Sequence, residues 1–131
     1  MPATQVVFFK AADESVPVIK FLDQQKQSRV KAKCIALIKL LAQEGYELKR
    51  PRTDTLRGGI RELRTEIRNT NYRLLYFFHG QNCVIISHGI IKEDVVPDQE
   101  IDKAIENKNL YISDPDKYSY HEVEQYYEQT T

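Results

Sequence analysis

Apolar positions change period along the chain and predict strands and helices in turn. Residues 5–10 (QVVFFK) are β-branched and aromatic, which is typical of a strand. The apolar spacing then lengthens to three and four residues. This predicts a helix from Ser15 to about Gln25 and a longer amphipathic helix over residues 28–44, with Gly45 as its C-terminal cap. These helices are expected to form a hairpin on one face of a sheet.

A second group of strands is predicted after a basic loop at residues 46–55. Three apolar runs separated by short Asn- and Gly-containing turns indicate an antiparallel meander, and they cover residues 60–67, 72–79 and 83–88. Pro97 begins a further helix that ends near residues 107–109. We therefore expect an α+β fold in which two N-terminal helices pack on a mostly antiparallel, four-stranded twisted sheet, followed by a C-terminal helix.

Length and composition are those of one globular domain. The chain has 131 residues, of which 41% are hydrophobic and 29% are charged. We expect this domain to cover residues 1–112 and an acidic, Tyr-rich extension to cover residues 113–131. No apolar run is long enough to cross a bilayer, and the start of the chain does not resemble a signal peptide. Cys34 and Cys83 lie far apart without metal-ligand spacing, so we expect free thiols and a cytoplasmic protein.

The net charge of zero conceals a strong asymmetry. Residues 29–92 contain 13 Lys and Arg against 5 Asp and Glu, whereas residues 93–131 contain 3 against 11. A basic body joined to an acidic tail is one indication of nucleic-acid binding. Two ordinary solvated surfaces would give the same counts, so charge alone leaves both interpretations open.

Arginines lie among the apolar residues of the predicted hairpin. Alternation along a strand places Arg64 on the same side as Glu62, and pairing through the turn at residues 68–71 brings Arg64 close to Arg73. Two guanidinium groups at that distance repel each other unless an anion lies between them. Glu62 would supply this anion in an internal ion pair, and phosphate would supply it in a nucleic-acid site. The residues alone do not decide between these two possibilities.

Other kinds of site find little support in the sequence. The three histidines, His79, His88 and His121, lack metal-ligand spacing, and no glycine-rich phosphate loop precedes a helix. His88 at the end of a strand is either a general base or a structural histidine. We expect neither a metal nor a cofactor.

Four segments together resemble the HigB branch of the RelE/ParE toxin superfamily. These segments are residues 56–64 (LRGGIRELR), 71–77 (NYRLLYF), 85–92 (IISHGIIK) and 100–104 (EIDKA), with Pro97 before the last. The most specific parts are the Glu-Leu-Arg and Tyr-Arg motifs. The chain departs from the family pattern at Glu93, where a second lysine is expected.

The resemblance implies a RelE-like fold and a toxin of a type II toxin–antitoxin pair. Such a toxin is a ribosome-dependent mRNA endonuclease that needs no metal, and a helix-turn-helix antitoxin neutralises it, here in an expected heterotetramer. By this resemblance, Arg64, Arg73 and Lys92 are the expected catalytic residues. The expected RNA-binding residues are Arg61, Arg68, Tyr76 and His88.

The implied reaction is attack of the ribose 2′-hydroxyl on the adjacent phosphate, with Arg64 and Arg73 stabilising the developing charge. One alternative is a protein of the same fold that does not cut RNA, either a ParE-like gyrase inhibitor or a binding module. In another, the arginines only brace the sheet.

Overall fold

The computed structural model describes residues 4–91 and 94–129. The α+β class is confirmed: one mixed sheet carries helices on both of its faces. No helix in the described ranges is long and apolar enough to cross a membrane.

Six strands form the sheet in the order β2-β3-β4-β5-β1-β6. Their bounds are β1 Gln5–Phe9, β2 Thr53–Thr55, β3 Arg61–Ile67, β4 Thr70–Phe78, β5 Cys83–Ile91 and β6 Ser119–Tyr120. The β3-β4-β5 meander is antiparallel as expected, and β1 joins it as a parallel neighbour of β5. The expected number of four strands is wrong, because β2 lies within the predicted basic loop and β6 within the predicted tail.

Four helices accompany the sheet, namely α1 Pro17–Asp23, α2 Ser28–Glu44, α3 Asp98–Ser113 and α4 Val123–Gln129. The apolar stripe predicted for α2 is buried, and Gly45 caps this helix with a positive φ of 56°. The N-terminal cap positions of α1 and α2 are occupied by Val16 and Gln27, and neither makes a capping side-chain hydrogen bond.

The two faces of the sheet support separate hydrophobic clusters. Helices α1, α2 and α4 cover one face, where Phe8, Leu63 and Leu74 are buried with Leu22 and Ile38. Helix α3 covers the opposite face and contributes Ile101, Ala104 and Tyr111 to its core. The prediction of two N-terminal helices on one face is thus extended by α4 on that face and by α3 on the other.

The acidic C-terminal segment packs into the molecule. Strand β6 pairs antiparallel with β1, and the Tyr126 and Tyr127 side chains of α4 are buried beside Phe8. The Tyr126 hydroxyl donates a hydrogen bond to Asp23 at 2.7 Å. Strand pairing, buried aromatic rings and this hydrogen bond therefore hold the segment against the rest of the molecule.

A β-bulge interrupts the pairing of β4 with β5. Leu75 lies opposite His88 and Tyr76 lies opposite Ile86, so Ser87 is the extra residue. Ser87 and His88 both bond to α3 residues, because Ser87 accepts from Asn107 and His88 bonds to Glu100. A bulge changes the direction of side chains locally. At this bulge, the consecutive residues Ser87 and His88 both bond to side chains of α3.

Candidate nucleic-acid interface

The β3-β4 hairpin brings Arg64 and Arg73 together as cross-strand Cα partners. A two-residue turn of Arg68 and Asn69 sets this register, with positive φ angles of 52° and 68°. Two consecutive positive φ angles match the right-handed twist of a tight hairpin. The predicted proximity of the two backbones is present, yet their side chains enter different surroundings.

Arg73 is buried and engaged within the protein. Its guanidinium Nη1 lies 2.7 Å from Glu62 Oε1, and the two side chains are 5% and 4% exposed. Nη2 donates to the backbone carbonyl of Asp94. The sequence left two candidate anions for Arg73, the Glu62 carboxylate and a phosphate. In the structure, Arg73 pairs with Glu62. Arg73 also ties the sheet to the segment that follows β5.

Arg64 is partly exposed, and its guanidinium forms no salt bridge with a carboxylate among the described residues, although its charge acts on Asp54 from a distance. Its Nε and Nη2 each lie 3.4 Å from the Pro51 carbonyl, which is long for a hydrogen bond. Arg64 also lines a pocket of about 240 Å³ with Arg52 and with Lys33 of α2. The residues that line this pocket include three basic residues and no acidic one.

Arg61 begins β3 and lines a cleft of about 400 Å³ next to the edge strand β2. Its guanidinium carbon is 5.7 Å from the centroid of the Phe78 ring. Its Nε is buried and has no hydrogen-bond partner in the described part of the chain. Lys49 and Arg50 line the same cleft, together with Asp54.

Cations line both of these clefts near the β2 edge of the sheet, and we call the whole set the basic edge. It consists of Lys33, Lys49, Arg50, Arg52, Arg61 and Arg64. Asp54 is its one acidic lining residue, and Asp54 already bonds to Arg50 at 3.0 Å and to the Thr55 N–H at 2.8 Å. The Thr55 N–H and then Arg50 hold the pKa of Asp54 below its usual range. Asp54 therefore neutralises only part of the positive charge of the basic edge.

Two predicted RNA-binding residues lie inside the protein. Tyr76 is 1% exposed, and its hydroxyl is 2.6 Å from Thr53 Oγ1. His88 is 4% exposed, with Nδ1 2.8 Å from Ser87 Oγ and Nε2 2.9 Å from Glu100 Oε1. Burial raises the pKa of Tyr76 and lowers the pKa of His88. Both side chains hold elements together within this structure.

The remaining predicted residues are Arg68 and Lys92. Arg68 is exposed at the tip of the β3-β4 turn. Lys92 and its neighbour Glu93 lie outside the described residues. In the described ranges, no group of three or more His, Cys, Asp or Glu side chains has an arrangement that could hold a metal ion.

Sequence reasoning did not identify Tyr46 as a site residue. It is 50% exposed and lines the same cleft as Arg61. The available signal was an aromatic residue three to six positions before Lys49, Arg50 and Arg52. Aromatic residues among cations are a common feature of single-strand nucleic-acid binding.

An α+β domain with an arginine-rich sheet edge is the class of protein that the fold and the site define. The model of one protein family, described as phage derived protein Gp49-like (DUF891), matches residues 20–109. Since this match covers more than half of the chain, the protein belongs to the Gp49-like family. The family is part of the RelE/HigB-like toxin superfamily, and the chain is accordingly a RelE-like toxin of a toxin–antitoxin pair. Comparison with curated proteins found no match.

Proposed function

We propose that this protein is a ribosome-dependent mRNA endonuclease that inhibits translation until a cognate antitoxin neutralises it. The observation that carries the proposal is the basic edge, in which Arg61 and Arg64 have no carboxylate partner among the described residues. Arginine offers a planar set of donors that matches the oxygens of a phosphodiester. Membership of a toxin family supplies the biological setting in which such a surface is useful.

The proposed reaction is an internal transesterification of RNA. The ribose 2′-oxygen forms a bond to the adjacent phosphorus, and the bond from phosphorus to the 5′-oxygen breaks. The 2′-hydroxyl loses its proton and the leaving 5′-oxygen gains one, so the products are a 2′,3′-cyclic phosphate and a 5′-hydroxyl. Arg64 would stabilise the charge that develops on the non-bridging oxygens, a type of effect that usually makes the largest contribution.

Arg73 is proposed to act as a positioning residue. It pairs with Glu62 below the surface and holds the Asp94 carbonyl, two residues beyond Lys92. Lys92 is retained as the proposed group at the leaving oxygen. Arg73 would thus support catalysis by holding the backbone at Asp94.

Growth arrest and transcript mapping test this proposal together. Induction of the wild-type protein should arrest growth and produce transcript ends with 5′-hydroxyl groups on translated mRNA. Arg64→Ala should lower cleavage by about two orders of magnitude, a loss typical for one stabilising donor. Its melting temperature should hardly change, because Arg64 is partly exposed and weakly bonded.

Arg57→Ala is the matched control. Arg57 is also an exposed arginine near β3, but it pairs with Asp102 at 2.6 Å and with Asp98 at 3.7 Å, away from the basic edge. We expect this variant to remain toxic. Equal toxicity of Arg64→Ala and the wild type would contradict the proposal. DNA damage without mapped transcript ends would instead indicate a gyrase inhibitor.

The family implies an antitoxin partner, and we propose that it is a helix-turn-helix protein bound in a heterotetramer. A neighbouring gene for a small protein of that kind should prevent growth arrest when both are expressed. Light scattering on the purified pair should give a mass of two toxins and two antitoxins. A stable complex with one copy of each would contradict the stoichiometry.

A further inference from the structure

Tyr46 lines two clefts of equal volume and opposite charge, each of about 400 Å³. The first, which we call the Tyr46 cleft, has Lys49, Arg50 and Arg61 in its lining with Asp54 as its one carboxylate. The second contains Glu44 and Glu47 and no cation among its lining residues. An anionic ligand that contacts the Tyr46 ring is therefore directed into the Tyr46 cleft.

The Tyr46 ring is held in a fixed orientation while half of the residue's surface stays accessible. It stacks on Phe78 with 3.7 Å between the ring centroids and an interplanar angle of 15°. Its hydroxyl donates to the Gly80 carbonyl at 3.2 Å. A side chain that is anchored before binding loses little conformational entropy when a ligand stacks on it. An exposed and anchored aromatic ring suits a flat partner.

Arg61 provides a cation near this ring, and it forms no salt bridge with a carboxylate among the residues that the structure describes. Asp54 already pairs with Arg50, and Arg73 already pairs with Glu62. Among the described residues Arg61 makes one aromatic contact, with Phe78, which also stacks on Tyr46. Arg61 and Tyr46 thus share Phe78 as a common neighbour at one cleft.

We propose that the Tyr46 cleft binds one unpaired nucleotide of single-stranded RNA, with its base on Tyr46 and its phosphate at Arg61 and Lys49. This inference rests on the proposed function and adds a base-stacking subsite to the phosphate contacts of the basic edge. Stacking requires an accessible base face, which a base inside a duplex does not offer. The subsite therefore selects unpaired RNA over duplex RNA.

The absence of tryptophan from the chain gives a direct test. Tyr46→Trp introduces a single indole at the proposed stacking position and preserves an aromatic ring there. A short single-stranded RNA of mixed sequence should quench its fluorescence, and a duplex of the same length should quench it far less. Ile112→Trp provides the control, because Ile112 is exposed on α3 at the other face of the sheet. Its fluorescence should not respond to the RNA.

Affinity measurements on labelled RNA give the second test. Tyr46→Ala should weaken binding by about tenfold to a hundredfold, the range for loss of one stacked base. Tyr46→Phe should bind within about threefold of the wild type, since it retains the ring. Gln43→Ala is the matched control, because Gln43 is an exposed residue that lines only the second, acidic cleft. It should leave the affinity unchanged.

Salt dependence tests the phosphate contact separately. For single strands the logarithm of affinity falls with the logarithm of salt concentration by about 0.7 per phosphate contact. Arg61→Gln should reduce this slope by about that amount. When it is combined with Tyr46→Trp, quenching of the indole at saturating RNA should remain intact. An unchanged slope would remove Arg61 from the proposed subsite.

The possible outcomes separate this inference from the proposed function. If the wild type cuts mRNA but saturating RNA leaves the Tyr46→Trp fluorescence unchanged and Tyr46→Ala binds as the wild type does, the subsite is refuted and the nuclease stands. If RNA quenches the introduced indole while no transcript is cut, the subsite stands and the nuclease is refuted. If labelled RNA does not bind the wild-type protein at all, the subsite is refuted as well.

Discussion

The two faces of the sheet bury different kinds of side chain. The face under α1, α2 and α4 is filled by aliphatic and aromatic groups such as Leu22, Ile38 and Leu74. The face under α3 also buries the Glu62–Arg73 ion pair and His88, which is bonded to Glu100. In the described part of the chain, the buried charged residues and the buried histidine all lie on this second face.

This difference shows where sequence patterns are ambiguous. A buried aliphatic residue has one role, so the apolar stripe of α2 predicts its own burial. A buried arginine can serve the fold or a ligand, and the strand pattern around Arg73 is the same in both cases. The deciding facts are tertiary, because Arg73 is buried, pairs with Glu62 and donates to the Asp94 carbonyl.

The largest loss of stability is expected from Arg73→Ala, which removes one partner of the ion pair on the face under α3. We call this face the polar face and the face under α1, α2 and α4 the apolar face. Removal of the guanidinium leaves the Glu62 carboxylate buried at 4% exposure without its counter-ion. Breaking a buried pair in this way costs about 3–5 kcal/mol of unfolding free energy. Urea denaturation of the variant and the wild type measures the difference. A loss below about 1 kcal/mol would mean that the pair is not buried in solution.

A double variant, Glu62→Leu with Arg73→Met, serves as the control for Arg73→Ala. Replacing both charges by apolar groups of similar volume is often neutral or stabilising. We therefore expect most of the stability to return in the double variant. If this stable double variant does not arrest growth, Arg73 has a positioning role beyond stability. If it arrests growth as the wild type does, the role of Arg73 is structural only.

A smaller effect is expected from Gly89→Ala, which tests the apolar face. A Cβ atom at Gly89 would lie 2.4 Å from Cδ2 of the Phe21 ring, which α1 packs against β5. Overpacking of this kind costs about 1–3 kcal/mol. Thermal unfolding measures it, and Phe21→Leu in the same chain should relieve part of the loss. Simple additivity of the two substitutions would contradict a direct contact between them.

The smallest effect is a pH dependence of folding stability, which we expect from His88 on the polar face. Burial lowers the pKa of His88, although its hydrogen bond to Glu100 and the charge of that carboxylate act in the opposite direction. The unfolded chain then takes up this proton at a higher pH, about 6.5, than the folded chain does. Stability should consequently fall as the pH is lowered below about 6.5, by at most about 1.4 kcal/mol per pH unit.

The other groups near His88 are Ser87, Asn107, Glu100 and Lys103, and the Lys103 charge lowers the pKa further. His88→Gln, which cannot titrate, should flatten the stability profile between about pH 7 and 5. Asp23 and Asp54, whose pKa values are lowered from 3.8, act only at more acidic pH. An unchanged profile in His88→Gln would exclude His88 as the source.

Much of the fold follows from the sequence because its strongest signals are local. The bounds of α2 and the β3-β4-β5 meander depend on periodicity and on short turns. Strand β2, with the sequence Thr-Asp-Thr, has no apolar alternation and is defined only by pairing with β3. The parallel pairing of β1 with β5 joins distant segments and leaves no trace in either one.

The site was predictable to a smaller extent. The pairing of Arg64 with Arg73 followed from the turn, as the register bears out. The burial of Tyr76 and His88 did not follow, since it depends on Thr53 in a strand that the pattern missed and on contacts made by α3. Tyr46 gains its significance only from Phe78, which lies on another element.

The position of β1 in the sheet has a consequence for the order in which the molecule forms. Strand β1 precedes the other five strands in the sequence, yet its neighbours in the sheet are β5 and β6, which follow much later in the chain. Its hydrogen-bonding edges stay open until residues 83–91 and then 119–120 have been made. Contacts between distant segments form slowly because the intervening chain must first be closed into a loop. Phe8 and Phe9, two of the most deeply buried side chains, therefore reach their final environment late in folding.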